Sequence, residues 1–328
     1  MVITTDTKST EALTRLKVGI SACLAGQNVR YDGASKRFKQ RKAMEEFVDF
    51  QPYCPEMAIG LGVPRKTLRL VGDVEKPSIV EGSGTLDVTS KLTDYANSVA
   101  DVLQRDDNLS GFIVCKGSPS CGMAGVKRYN ETGGVLGHDA SGIFTAQLMR
   151  RLPTLPVEED GRLNDKGLME SFLTRAHVKQ RWQVMLKAGL TAKSLLAFHS
   201  EHKFLLLAHN QNMYRTLGKL LADLSSKSLE DLSVEYFSAF MKAMNQVPTA
   251  GQHANVLMHL QGYVKDSLSE RERAELASVI LDYSNGRLPR QAPMTLIKHH
   301  LANNPNLWAQ SQHYLEPFSR DMLVLVER

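Results

Sequence analysis

The chain has 328 residues, 42% hydrophobic and 23% charged, with 40 Lys and Arg against 35 Asp and Glu. Such a length suggests two domains, each able to bury its own core. No apolar run approaches the roughly 20 residues that a membrane-crossing helix needs, and four cysteines are too few for a disulfide scaffold.

The first sixteen residues, MVITTDTKSTEALTRL, hold no apolar core, so no export signal is expected. A cytoplasmic protein with reduced thiols is the corresponding expectation. From residue 16 strand and helix signals alternate. LKVGISACLAG (16–26) is β-rich and closes at a glycine, KRFKQRKAMEEFV (36–48) reads as a helix, and FVDFQPYCPE (47–56) carries the next strand. After glycines 60 and 62 and Pro64, PSIVEG (77–82) predicts a short strand. Residues 89–106 place Leu92, Tyr95, Val99 and Leu103 at helical spacing behind a candidate cap, Thr89. GFIVCK (111–116) is a continuous apolar strand of the kind buried on both faces. A helix over 142–152 and a strand over 155–159 follow.

This alternation predicts an α/β domain with a mainly parallel, Rossmann-like sheet. The polar stretch EEDGRLNDKG (158–167) marks a boundary, giving domains 1–160 and 161–328. Beyond it β signals nearly vanish. Helices are predicted over 167–188, 191–208, 211–224, 229–245, 248–266, 268–285 and 293–302, so the second domain reads as all-α.

Cys23, Cys54 and Cys121 each follow an apolar strand-like run just as the backbone turns. In an open α/β sheet those strand ends face the crevice where ligands bind. Soft thiolates select zinc, copper(I) or iron–sulfur clusters, and the paired CxxC spacing of structural zinc is missing. Clusters usually take four cysteines, so three would leave one iron without a protein ligand. The competing reading is three buried cysteines acting as small hydrophobes. Cys115, inside FIVCK, reads as a packed strand thiol and not as a ligand.

The motifs SACLAGQNVRYDG (21–33), CPE (54–56) and SPSCG (118–122) resemble the thiouracil desulfidase family over residues 16–156. The resemblance implies a [4Fe–4S] cluster held by Cys23, Cys54 and Cys121. It also implies catalytic roles for Glu56 and Ser118, the first as general base and acid, the second as hydrogen-bond donor or proton relay. Taken alone, Glu56 would read as a surface carboxylate and Ser118 as a turn residue. Asn28, Arg30 and Asp32, after Cys23, are candidate substrate contacts; an Arg30–Asp32 pair stiffening the loop is the alternative. KRFKQRK (36–42) is a solvated helix face or a hold for a nucleic-acid backbone.

In the second half, FHSEHKFLLLAHN (198–210), TAGQHANVLMHLQGY (249–263) and APMTLIKHHL (292–301) resemble a helical domain found fused to thiouracil desulfidases, over roughly 175–320. That resemblance implies a grip on transfer RNA, with Lys203, Arg215, Lys219 and Arg181 as candidate contacts. His199, His202 and His209 share one helix face and read as core or interface histidines in preference to metal ligands. The implied activity is removal of sulfur from a thiouracil-type base, as a free base or as 4-thiouridine or 2-thiouridine in transfer RNA. A non-catalytic iron–sulfur RNA-binding or redox-sensing protein is the alternative.

Overall fold

The computed structural model describes residues 15–82, 84–224 and 227–327. Most of the N-terminal stretch read for an export signal lies outside them. Two compact units emerge: one reaches Gln147 and resumes over Val157–Gly161, the other comprises Leu148–Pro156 and Arg162–Arg328.

The first unit is built on strands β1 (Leu16–Ser21), β2 (Val48–Tyr53), β3 (Leu68–Val71), β4 (Ser78–Glu81), β5 (Gly111–Val114), β6 (Val126–Tyr129), β7 (Val135–Ala140) and β8 (Val157–Glu159). Four of them form a parallel sheet in the order β2-β1-β5-β8. All four residues of β5, and five of six in β1, are buried, as continuous apolar strands covered on both faces require. Gly19 is obligatory at the centre. A Cβ there would lie 2.3 Å from the ring of Phe112, its register partner on β5. The strand order reverses direction between β1 and β5, so the crevice of this sheet opens at their C-terminal ends.

The expected single sheet is corrected in one respect. Residues 78–81 are not part of the parallel sheet but join a second, mixed one, β4-β3-β6-β7, in which only β3 and β6 run parallel. Its strands are short and carry Arg69, Lys127, Arg128 and His138, so neither run length nor apolar content announced them. Leu70, Ile79, Val126 and Ala140 bury its inner face against Val88 and Leu92.

The helices of this unit are α1 (Arg41–Met44), α2 (Pro55–Ala58), α3 (Thr89–Asp106) and α4 (Ile143–Arg151), the last running past Gln147. The helix expected over 36–48 is thus a single turn before β2. In α3 the predicted face holds: Leu92, Val99 and Leu103 are buried and Tyr95 stacks on Phe144 at 5.8 Å. Thr89 is not the cap, however. It is the first helical residue, its hydroxyl accepts the Ile79 amide at 2.8 Å, and Asp87 accepts the Thr89 amide at 2.8 Å.

The second unit is helical, with α5 (Lys166–Lys187), α6 (Ala192–Glu201), α7 (Lys203–His209), α8 (Gln211–Ala222), α9 (Leu229–Met244), α10 (Ala250–Val264), α11 (Glu270–Ser284), α12 (Gln291–Asn303), α13 (Leu307–Gln310) and α14 (Val324–Glu327). Its core is an aromatic stack in which Trp182 lies 4.3 Å from Phe237 and edge-on to Phe198 at 5.0 Å. The predicted helix 191–208 breaks at His202, between α6 and α7. None of these helices among the described residues is long and apolar enough to cross a membrane.

Candidate active site

Three parallel strands deliver their following residues to one cavity of about 250 Å³. Cys23 comes from the turn after β1, Cys54 directly follows β2, and Cys115 and Cys121 come from the loop after β5; all four line the cavity. Cys121 is buried and the other three are half-buried. The placement of Cys115 corrects the sequence reading. The β5 ladder ends at Val114, where the Ser21 hydroxyl accepts the Cys115 amide at 3.1 Å, and the next thiol turns into the crevice.

The loops are held by specific backbone bonds. The Ala22 amide donates to Tyr53 O at 2.7 Å and the Lys36 amide to Cys23 O at 3.0 Å, which fixes the β1 turn. Gly26 (φ 91°) lets the Arg41 guanidinium pack against that turn and donate to Ala25 O at 3.0 Å. In the SPSCG loop Ser118 Oγ accepts the amides of Ser120 (3.3 Å) and Cys121 (3.1 Å), while Thr145 donates to Cys121 O at 2.7 Å. Ser118 therefore does serve the turn, and its hydroxyl hydrogen is free to donate into the cavity that Ser118 also lines.

Two consecutive carboxylates at the end of β8 clamp the loops from below. Glu159 Oε1 accepts the amides of Met123 (2.9 Å) and Ala124 (3.4 Å), just after Cys121. Asp160 accepts the Lys116 amide at 2.8 Å and pairs with Lys36 Nζ at 2.9 Å. Lys36 Nζ in turn lies 3.5 Å from Cys115 Sγ. Lys36 and Arg41 of the KRFKQRK run are thus engaged inside this unit, not offered as a free basic face.

Glu56, on the first turn of α2, places Oε2 3.4 Å from Cys54 Sγ. Burial, and then the Glu56 charge, push the Cys54 thiol up to about 11. Burial also pushes Cys121 well above its ordinary range, with Glu56 and Cys115 adding to it. Cys23 is raised, first by its hydrogen bond with Cys115 and then by burial; Cys115 is lowered, first by that same bond. A nest of thiols this crowded resists carrying several negative charges without a cation among them.

Of the candidate substrate contacts, Arg30 lines the cavity with Tyr31, its guanidinium 5.6 Å from the ring centroid. Asn28 and Asp32 are not among the lining residues. Asp32 forms no ion pair with Arg30; it accepts the Ala34 amide at 3.1 Å. Arg65, which the sequence did not single out, supports this loop by donating to Val29 O and Gly62 O, each at 2.9 Å. Its only sequence signal is a cation three residues after Gly62.

Among the described residues no three His, Cys, Asp or Glu side chains meet closely enough to hold a single metal ion. The cysteines surround a cavity instead of converging on a point. A sulfur-only donor set spread this way fits an iron–sulfur cluster better than one zinc ion.

Two family models match the chain, one over each half. Residues 18–160 match the family model described as 2-thiouracil desulfurase. A solved protein, the [4Fe-4S]-dependent thiouracil desulfidase TudS, is 31% identical and 94% of it is covered, by 46% of this chain. Residues 18–160 belong to the 2-thiouracil desulfurase family. The TM-score to TudS is 0.37. Residues 203–319 match a second family model, described as a protein of unknown function (DUF1722). The uncharacterized protein YbgA of Escherichia coli K12 is 35% identical over 159 residues, 94% of its length and 48% of this chain.

In the second unit the three histidines are core residues, as read from sequence. His202 and His209 bond backbone carbonyls four residues earlier, at 2.7 and 2.8 Å, and His199 meets Tyr236 Oη at 3.1 Å. Arg181 is half-buried and donates to Pro317 O at 2.8 Å, which ties it into this unit. Lys203 Nζ rests 5.9 Å from the rings of both Tyr214 and Trp308. Arg215 and Lys219 are exposed one turn apart on α8.

Proposed function

We propose that the chain is a [4Fe–4S]-dependent desulfidase acting on thiouracil-type bases, with a thiouridine of transfer RNA as the substrate. The observation that carries it is the Glu56 carboxylate 3.4 Å from Cys54 Sγ, in the cavity that Cys23, Cys121 and Ser118 also line. Cys23, Cys54 and Cys121 would hold the cluster. When bound, it supplies a Lewis-acidic iron with affinity for a soft thiocarbonyl sulfur.

The remaining chemistry belongs to the side chains. Hydrolysis of a thiocarbonyl forms a C–O bond, breaks the C–S bond and releases hydrogen sulfide. Glu56 takes a proton from the attacking water and returns it to the departing sulfur. Ser118, its lone pairs engaged by the Ser120 and Cys121 amides, directs its O–H at the substrate. Tyr53, Leu68 and Pro119 line the same cavity with apolar surface against which a planar base can lie. The exposed Arg215–Lys219 pair supports RNA contact by the second unit.

The test is anaerobic incubation of brown, iron-loaded protein with thiolated transfer RNA and, separately, with free 2-thiouracil. Nucleoside analysis and sulfide release are the readouts. Uridine appearing with stoichiometric sulfide is the expected result. Sulfide from neither substrate overturns the desulfidase reading, and sulfide from the free base alone overturns the RNA assignment.

A further inference from the structure

The second unit contains a pair of adjoining cavities, about 280 and 450 Å³, that nothing in the desulfidase reading uses. They share a polar wall formed by Glu170, Arg290, Gln291 and Tyr314. Together they fall within the size range of small-molecule sites.

The hydrogen-bond order of this wall is fixed by what each group can do. Arg290 Nη1 lies 2.9 Å from His253 Nε2, and a guanidinium only donates, so Nε2 accepts. His253 Nδ1 then carries the ring hydrogen and donates it to Tyr314 Oη at 2.9 Å. Arg290 is anchored on its other side by Glu170. Tyr314, only 4% exposed, is left with a hydroxyl hydrogen that no described residue accepts. A second buried group is in the matching state. His209, also 4% exposed, donates Nδ1–H to Leu205 O at 2.8 Å, leaving Nε2 a bare acceptor on the wall of the smaller cavity.

One neutral donor and one neutral acceptor, on side chains nearly fully buried and lining these cavities, suit a ligand offering the reverse pair. An amide edge in a ring, with C=O beside N–H, is that complement. The larger cavity adds apolar surface from Met294, Leu315 and Phe318 and two cations, Lys298 and Arg320. Lys298 is 4.0 Å from Glu316, whereas Arg320 has no ion-pair or hydrogen-bond partner among the described residues.

We propose that the helical unit binds a small lactam heterocycle bearing an anionic group, the chemistry of a pyrimidine nucleoside monophosphate. The lactam edge meets Tyr314 and His209, and the anion faces Arg320. The polar pair is too deeply buried for an extended surface to reach, so the ligand enters as a single small molecule. This site is separate from the cysteine cavity and does not depend on the desulfidase reading.

Calorimetric titration of the full, iron-loaded chain with UMP, uridine and uracil tests it. Saturable UMP binding is expected. Tyr314→Phe should weaken UMP and uridine alike by about tenfold, the loss of one hydrogen bond to a buried group. Arg320→Ala, an exposed change that leaves packing untouched, should weaken UMP by about tenfold and uridine hardly at all. Glu56→Ala should change neither, so failure here and failure of the desulfidase reading are distinguishable. Absence of saturable UMP binding overturns the proposal. So does UMP binding that survives Arg320→Ala and is displaced by 2-thiouracil, which would place it in the first unit.

Discussion

Lys36 Nζ sits 3.5 Å from Cys115 Sγ while paired with Asp160 at 2.9 Å, which makes the fourth thiol the one with its own counter-ion. Cys23, Cys54 and Cys121 have no such lysine, and Cys23 hydrogen-bonds Cys115 instead. The division matters for loading. A cluster needs thiolates that no other cation holds, and Cys115 is already committed to one.

Cys23→Ser, Cys54→Ser and Cys121→Ser should therefore each lose the brown colour and most of the iron, about four atoms per chain when fully loaded. Cys115→Ser should retain both. Iron analysis of anaerobically purified variants decides it, and loss of iron from Cys115→Ser would make Cys115 a fourth ligand.

Glu56→Gln keeps the shape beside Cys54 Sγ and removes the base. Turnover of 2-thiouracil should fall by about 10²–10⁴-fold, the usual worth of a positioned general base, with iron content unchanged. Near-normal turnover in an iron-replete variant would remove Glu56 from the chemistry.

The carboxylates of β8 act at one remove. Glu159→Ala strips the Met123 and Ala124 amides of their acceptor next to Cys121, at a cost of about 1–3 kcal/mol. Melting temperature should drop and iron should leach faster into a chelator. Glu159→Gln, which preserves an acceptor oxygen, should restore most of both. Equal damage from the two variants would mean that charge, not the clamp, is what matters.

How far the sequence could be read follows from these same bonds. Cys23 and Cys54 were legible because a strand period ends one or two residues before each. Cys115 was not, since FIVCK is one uninterrupted apolar run, and only the Ser21 hydroxyl, distant in sequence, ends the ladder at Val114. Glu159 and Asp160 looked like part of a polar linker because their partners lie 35 to 124 residues away. The strands β3, β6 and β7 escaped notice for a related reason. They are stabilised by pairing with one another and by a small shared core, and their own composition is mixed. In the second unit, by contrast, the longer helices followed local periodicity, apart from the break at His202. What periodicity could not supply was which cations face solvent.

That distinction separates Arg181 from Arg215 and Lys219. Arg215→Glu combined with Lys219→Glu should weaken transfer RNA binding, more strongly at low salt, while leaving the melting temperature nearly unchanged. Arg181→Ala removes a half-buried bond to Pro317 O and should lower the melting temperature by an amount that RNA does not selectively alter. Filter binding at two salt concentrations, beside thermal melts, separates them. Unchanged RNA affinity in the double variant would move the grip off α8.

The helical unit should also be acid-sensitive. Burial lowers His177 to about 3 and His199 and His209 to about 4, against 6.5 for a free imidazole. In the unfolded chain these rings take up protons that the folded unit refuses. Their contribution is therefore fully present above pH 6.5 and is lost as pH falls toward 4. The loss amounts to up to about 1.4 kcal/mol per pH unit for each histidine. Both tryptophans of the chain, Trp182 and Trp308, lie in this unit, so indole fluorescence reports on it alone. Urea midpoints followed by that signal should fall steeply between pH 6.5 and 4.5 and level off above 7. A midpoint that stays flat across that acid range would show that the histidines are protonated in place, with water reaching rings the structure buries.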